Sequence, residues 1–145
     1  MANINRLEGL AELNKKITQL IKNIDKEEVS KIISPPAEML KNDIQARAPI
    51  SKKPHYKRGT RKLVPPGNLK RSVVVKNYTD YPMAVSLVGI DARIAPHFYL
   101  VEYGHAGPHP APPHPFFRPA WDANKAQIEQ EIIGGLIDTI EKAIE

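Results

Sequence analysis

The side chains with the most obvious capacity for chemistry are imidazoles and one carboxylate in a single segment of the chain. They are His97, Glu102, His105, His109 and His114. Imidazoles at this spacing can bind zinc or nickel. However, five prolines lie between residues 108 and 115, and they hold the loop extended, which keeps the rings too far apart to share one ion. The sequence therefore predicts a structural loop and no metal site.

The acidic residues that could bind magnesium are scattered singly, at Asp80, Asp91, Glu102 and Asp122. General acid–base catalysis needs a matched pair of groups in one cleft, and no such pair stands out. No Ser/His/Asp order, phosphate-binding loop or dinucleotide-binding glycine pattern occurs. For Glu102 the alternatives are a perturbed catalytic carboxylate, an ion pair with Arg118, or a cap on neighbouring backbone. We expect no enzymatic activity, no catalytic residue and no cofactor.

A basic tract within residues 51–62 is a candidate for binding. Its cationic side chains are Lys52, Lys53, Lys57, Arg58, Arg61 and Lys62. Lys and Arg contacts to phosphate give a salt-sensitive attraction that is independent of nucleic-acid sequence. Tyr56 is the lone aromatic residue there, so no stacking platform is evident. Three alternatives stay open: loose contact with DNA, contact with an acidic protein surface, or a solvated flap.

Charge is divided unevenly along the 145 residues. Residues 1–76 hold 17 Lys and Arg against 7 Asp and Glu, a net charge of +10. Residues 77–145 hold 4 against 9, a net charge of −5. This asymmetry suits a polyanionic partner or head-to-tail stacking of identical subunits. No apolar stretch approaches the roughly 18 residues that cross a membrane, and the absence of cysteine excludes disulfides.

Helices are predicted to precede the basic tract, over residues 5–48. Apolar residues at spacings of three and four predict an amphipathic helix near residues 5–24. Asp25, with a glutamate three residues later, has capping-box spacing and predicts a second helix. Ser34-Pro35-Pro36 predicts an interruption and a third helix, which ends before Pro49. The following residues, 50–66, are predicted as a flexible basic loop.

The middle of the chain predicts a small antiparallel sheet within residues 69–104. Residues 71–78 and 83–90 are rich in β-branched side chains and predict a hairpin. A third strand is predicted over 97–103, where apolar side chains would lie on both faces. A stiff, extended Pro/His-rich arm, 105–117, is predicted to follow it.

Residues 118–144 predict a long helix whose apolar stripe is wider than one partner sheet needs, because Ile133 and Ile137 extend it. Gly134-Gly135 within it costs roughly 2 kcal/mol relative to alanines. A close approach of another backbone, or a bend, would explain that cost. The chain is thus predicted to be one α+β domain. N-terminal helices would precede an antiparallel sheet of three to four strands, and the C-terminal helix would pack on that sheet.

Three motifs in order along the chain carry a resemblance to a known family. They are Ala48-Pro49 at a helix end, Gly67-Asn68-Leu69-Lys70-Arg71-Ser72 at the start of a strand, and Tyr99 with Glu102-Tyr103-Gly104 ahead of Pro115-Phe116-Phe117-Arg118-Pro119-Ala120. On these residues the chain resembles the head–tail joining, or tail-completion, proteins of long-tailed bacteriophages. The likeness covers nearly the whole chain. His105 departs from it, standing where the family has a small hydroxyl residue.

The resemblance implies a virion structural protein of the neck, from a free phage or a prophage. It implies a ring of copies, a hexamer or a dodecamer, joining the tail to the capsid connector around the DNA channel. The implied partners are connector or stopper proteins, tail-terminator or tail-tube proteins and the passing genome. Synthesis would occur in the host cytoplasm, with no membrane partner.

A ring needs two different contact patches on each subunit. The candidate interface residues are Tyr99, Val101, Tyr103, Gly104, Phe116, Phe117, Arg118 and Trp121. The resemblance implies that Gly104 makes a sharp turn with positive φ and that the two phenylalanines anchor the arm in an apolar pocket. It also implies that Arg118 binds an acidic partner. The basic tract would face DNA or an acidic connector. The alternatives are a nucleic-acid-binding module and a metal-dependent enzyme.

Overall fold

A computed structural model of the chain describes residues 4–23, 25–56, 61, 63–80 and 83–144. The described elements are α1 (Ile4–Asn23), α2 (Lys26–Arg47), β1 (His55–Tyr56), β2 (Leu63–Val64), α3 (Asn68–Arg71), β3 (Val73–Tyr78), β4 (Val85–Ile90), α4 (Phe98–Tyr103) and α5 (Phe117–Ile144). This arrangement confirms the predicted α+β class. None of the described helices combines the length and apolar character that crossing a membrane requires.

Helix α2 begins where the sequence predicted a helix start. The Asp25 side chain caps it by accepting the Lys26 N–H at 2.6 Å. The helix ends at Arg47, ahead of Pro49, as predicted. An extended conformation at Ala48 follows, which is the conformation that a residue before proline favours.

The interruption predicted at residues 34–36 is wrong, because α2 runs through them without a break. Pro36 is fully buried in the folded chain. The Ser34 hydroxyl donates to the Ser30 carbonyl oxygen at 2.6 Å, a bond that a helical path allows. Burial of the proline ring therefore overrides the local tendency of proline to end a helix.

The predicted hairpin is confirmed in β3 and β4, which pair from Val73 opposite Ile90 to Tyr78 opposite Val85. The sheet is smaller than the three to four strands predicted, since these two strands form one sheet and β1 with β2 form another. The β1–β2 pair places His55–Tyr56, in the middle of the basic tract, beside Leu63–Val64, which follow the tract. The loop predicted over 50–66 thus contains two short strands.

The strand predicted to begin at residue 71 begins at Val73, because the preceding residues form the single helical turn α3. Gly67 opens that turn with φ of +79°, a conformation that glycine adopts without steric cost. The Asn68 side-chain amide donates to the Ile94 carbonyl oxygen. The second motif is therefore a turn that joins α3 to the loop after β4.

The third strand predicted at 97–103 is wrong, because Phe98–Tyr103 form helix α4. Aromatic and β-branched residues favour a strand locally, and apolar residues on both faces left the period undecided. Tertiary contacts decide the structure, since the buried Glu102 side chain bonds to the start of α5. On the helix, Tyr99 and Tyr103 are four residues apart and share one face.

Helix α2 contacts both the β3–β4 hairpin and α5. The most buried residues that pack together are Leu40, Ile44, Ala48, Leu69, Val73, Ala95, Phe116 and Ala120. Val88 and Ile90 of β4 pack against this cluster, and so do Phe117 and Ile128 of α5. The C-terminal helix and the sheet therefore share one core, in agreement with the predicted packing.

The two glycines in the middle of α5 have different surroundings. A Cβ on Gly135 would lie 2.7 Å from Ile32 Cγ2 of α2, so its missing side chain lets the two helices approach closely. The prediction was a close approach of another backbone, or a bend, whereas the close neighbour at this residue is a side chain. A Cβ on Gly134 would meet no other described atom within 4 Å, so the fold gives no packing reason for that glycine.

Candidate subunit-docking site

Glu102 joins the short helix α4 to the first turn of α5. Its Oε2 accepts the backbone N–H groups of Phe116 at 2.8 Å and Phe117 at 3.0 Å, and its Oε1 accepts that of Arg118 at 3.0 Å. The first N–H groups of a helix have no partner within the helix, and their partial positive charge favours an anion. Glu102 is therefore an N-cap supplied from a different helix, which confirms the capping alternative.

The environment of Glu102 keeps its carboxylate charged. Burial by itself raises the pKa of Glu102, but the three N–H donors and the Arg118 charge outweigh it and hold the pKa below its usual 4.5. Glu102 is only 6% exposed, and both of its carboxylate oxygens accept hydrogen bonds from the backbone. A catalytic base needs a lone pair directed at a substrate, so the geometry favours a structural cap.

Gly104 makes the turn between α4 and the arm. Its φ is +70° and its ψ is 178°, a region of backbone conformation that glycine alone occupies readily. A Cβ at this position would lie 2.8 Å from the Ala111 carbonyl oxygen and 2.8 Å from the Pro113 nitrogen. The positive φ expected for Gly104 is confirmed, and the space around it also demands glycine.

The arm that follows is closed on itself, whereas the sequence predicted an extended segment. The N–H groups of His105 and Ala111 each donate to the carbonyl oxygen of the other residue at 3.0 Å. The His114 N–H donates to the Val101 carbonyl oxygen at 2.7 Å, which ties the far end of the arm to α4. The donors in these main-chain bonds are all residues other than proline. The loop can therefore close although its prolines have no N–H group to donate.

The candidate interface residues divide into a buried and an exposed set. Phe116 is 0% exposed, and Val101 and Phe117 pack against the core. The two phenylalanines therefore occupy an apolar pocket within their own chain. Tyr99, Tyr103 and Trp121 are 51%, 71% and 46% exposed. We use the name aromatic surface for these three residues together with the exposed Arg118.

Part of the basic tract lies within the described residues. Lys52, Lys53 and Arg61 are exposed, as a binding surface for phosphate or carboxylate groups requires. Lys57, Arg58 and Lys62 lie outside the described residues.

The histidine loop places its imidazoles at the surface. His105, His109 and His114 are all exposed. Within the described ranges, no three His, Asp or Glu side chains lie close enough together to hold a metal ion. Among the residues that the structure describes, the imidazoles therefore do not form a binding site for zinc or nickel.

Helix α1 has an exposed apolar surface that was not among the candidate sites predicted from the sequence. Leu10, Leu13 and Ile17 of α1 are 57%, 54% and 45% exposed. Their spacing of three and four residues gave the signal for an amphipathic helix, but periodicity alone does not tell whether the stripe is covered within the chain. We call this set the α1 stripe.

The chain matches no protein-family model, no curated protein and no solved structure.

Proposed function

We propose that this chain is a structural protein of the head–tail junction of a long-tailed bacteriophage. Copies of it would form a ring that joins the tail to the capsid connector around the DNA channel. The proposal is supported by the three-motif resemblance and by one structural observation, the Glu102 cap on α5. That cap gives a physical role to both halves of the third motif.

The motif residues act together as a mechanical coupling. Glu102 accepts the N–H groups that begin α5, Gly104 turns the chain, and Phe116 fills the core. These roles fix α4 against α5 and require no bound substrate. A coupling of this kind suits a protein that transmits force between its neighbours.

The aromatic surface would provide the contact between this coupling and a neighbouring subunit. Tyr and Trp are enriched at protein interfaces, where each buries a large area with few rotatable bonds. Tyr99 and Tyr103 project from one face of α4, and Trp121 lies in the first two turns of α5. Because the Glu102 cap links these two helices, the aromatic side chains are presented from a rigid base.

Native virions provide the test of this proposal. Cryo-electron microscopy of the phage whose genome encodes the chain should show its fold as a ring in the collar between shell and tail. Complementing a gene deletion with a Tyr103→Ser variant should lower the yield of joined particles, whereas a Leu87→Ser control at an exposed position of β4 should not. Absence of the polypeptide from the collar of purified virions would contradict the proposal.

A second candidate function, binding to DNA, is favoured by the exposure of Lys52, Lys53 and Arg61. Changing all three to Gln should weaken DNA binding and reduce its dependence on salt, because fewer counterions are released. Changing three exposed lysines outside the tract to Gln, at Lys26, Lys76 and Lys125, provides a control for the loss of three charges alone. Affinity that is unaffected by the triple change would remove this candidate.

A further inference from the structure

The α1 stripe is uncovered over the part of the helix whose side chains are described. Every residue from Gly9 to Gln19 is exposed, including the three aliphatic residues of the stripe. Helix α1 contacts α5 of its own chain, but that contact leaves the stripe open. Most helices in proteins are stabilised by packing of an apolar face rather than by propensity. The exposed stripe therefore calls for a partner outside the chain.

A second uncovered stripe runs along the C-terminal half of α5. Ile133, Ile137 and Ile140 are 49%, 48% and 37% exposed, and their spacing of four and three residues places them on one face. We call this set the α5 stripe. In each stripe the first and last residues are seven positions apart, which is about 10 Å of helix at 1.5 Å per residue.

Gly134 lies beside the α5 stripe, and the fold itself does not require it. Glycine in a helix costs about 1 kcal/mol relative to alanine, and a Cβ here would meet no other described atom. Small residues at a helix surface let a neighbouring helix approach closely, as Gly135 does for α2 within the chain. Gly134 marks the outer side of α5 as a place where a further helix can approach.

The charges of the two helices favour α1 as that further helix. Helix α1 holds four basic and two acidic residues, a net charge of +2, whereas α5 holds three basic and five acidic residues, a net charge of −2. A pairing of α1 with α5 is therefore attractive, while α1 with α1 or α5 with α5 places like charges together. The stripes agree in length and chemistry, and the helices differ in the sign of their charge.

We propose that the α1 stripe of one copy packs against the α5 stripe of a second copy of this chain. The contact joins two different patches, which is the type of interface that closes a ring or extends a chain of subunits. This inference rests on the proposed function, because it supplies one of the contacts between neighbours in the ring. The contact should also form between copies of the free protein, which virion experiments do not test.

Disulfide trapping tests the contact directly, because the natural chain has no cysteine. A Leu13→Cys chain and an isotope-labelled Ile137→Cys chain are mixed at high concentration and oxidised. The mixed dimer is then measured by intact mass. Since each chain carries one thiol, a link between these positions must join two copies.

The matched control is Ala11→Cys in place of Leu13→Cys. Position 11 is two residues away and therefore on the opposite side of α1, since each residue turns a helix by about 100°. We expect a several-fold higher yield of mixed dimer from Leu13→Cys than from Ala11→Cys. Equal yields, or a predominance of Ile137→Cys linked to itself, would overturn the inference.

Gly134→Gln provides a second readout that is separate from folding. The change should raise the thermal midpoint of the chain, because glycine is replaced at an open helical position. It should also lower the yield of mixed dimer several-fold, because the added side chain obstructs the neighbour. An unchanged yield would contradict the contact. Failure of both tests with the chain still present in virion collars would refute this interface and leave the proposed function standing.

Discussion

The two halves of α5 differ in how fully the rest of the chain caps their backbone and covers their apolar side chains. At the first turn, Glu102 accepts three backbone N–H groups and Phe116 is fully buried. In the second half, Ile133, Ile137 and Ile140 are exposed, and the α1 stripe is exposed as well. One end is fixed by the chain's own contacts, and the other offers apolar surface that the chain does not cover. The difference separates residues that build the subunit from residues available for its neighbours.

The largest effect on stability should come from removing the cap. Glu102→Ala leaves three N–H groups at the start of α5 without their acceptor, and we expect it to lower the free energy of unfolding by about 3 kcal/mol. Glu102→Gln keeps one acceptor oxygen and should cost about half as much. Urea denaturation measures both values, with Glu129→Ala at an exposed position of the same helix as the control. Equal stabilities for Glu102→Ala and the control would show that the first turn is not fixed by this carboxylate.

Gly104→Ala should have the next largest effect. The added methyl group would meet the Ala111 carbonyl oxygen and the Pro113 nitrogen, and the backbone conformation is one that alanine rarely adopts. We expect a loss of about 2 kcal/mol in the free energy of unfolding.

Gly107→Ala is the matched control for this change within the same arm. Its Cβ would lie 3.5 Å from His105 Nδ1, an ordinary contact distance. Similar unfolding midpoints for the two variants would contradict the described turn at Gly104.

The adjacent glycines of α5 should respond in opposite directions. Gly134→Ala should raise the free energy of unfolding by about 1 kcal/mol, because helix propensity improves at an open position. Gly135→Ala should lower it by about 1 kcal/mol, because crowding against the stiff Ile32 side chain exceeds that gain. Thermal unfolding of both variants at low concentration measures the difference. A gain in stability for Gly135→Ala would show that α2 and α5 are not closely packed there.

Acid should weaken the fold through two carboxyl groups, Glu102 at the start of α5 and Asp91 in the loop after β4. The Arg93 guanidinium, which donates to Asp91 at 2.7 and 3.0 Å, lowers the pKa of Asp91 from 3.8 to about 2, and the pKa of Glu102 lies below 4.5. Both groups have a lower pKa in the folded chain than in the unfolded chain. Their contribution is therefore complete above about pH 4.5 and is lost as the pH falls through the folded-state values.

Glu102→Gln removes one of these titrations and gives the comparison for the pH dependence. The stability difference between the natural chain and this variant should be constant near neutral pH and should shrink as the pH falls below 4.5. Asp91→Asn provides the same comparison for the other carboxyl group. A difference for Glu102→Gln that does not change with pH would contradict the lowered pKa of Glu102.

Local signals predicted those parts of the fold in which the nearest residues decide the structure. The cap at Asp25, the helix end before Pro49, the hairpin and the long C-terminal helix follow from caps, prolines and periodicity. The prediction failed at residues 97–103, because the bonds from Glu102 to residues 116–118 outweigh β-propensity. It failed within α2 because burial of Pro36 cannot be seen from a local pattern.

The candidate site was predictable in kind but not in arrangement. Capping was one of three alternatives for Glu102, and the positive φ of Gly104 followed from the resemblance. The sequence alone could not show that Phe116 is buried while Tyr103 is exposed, since both are aromatic and both lie in the same motif. Only the path of the chain between Gly104 and Pro115 determines which ring faces inward.

Sedimentation velocity over a range of concentrations tests most directly whether the uncovered helices join copies of the chain. We predict that the mass of the natural chain rises with concentration, that Leu13→Lys abolishes the rise, and that Ala11→Lys on the opposite side of α1 preserves it. Sedimentation as a monomer by all three proteins at every concentration would contradict the account.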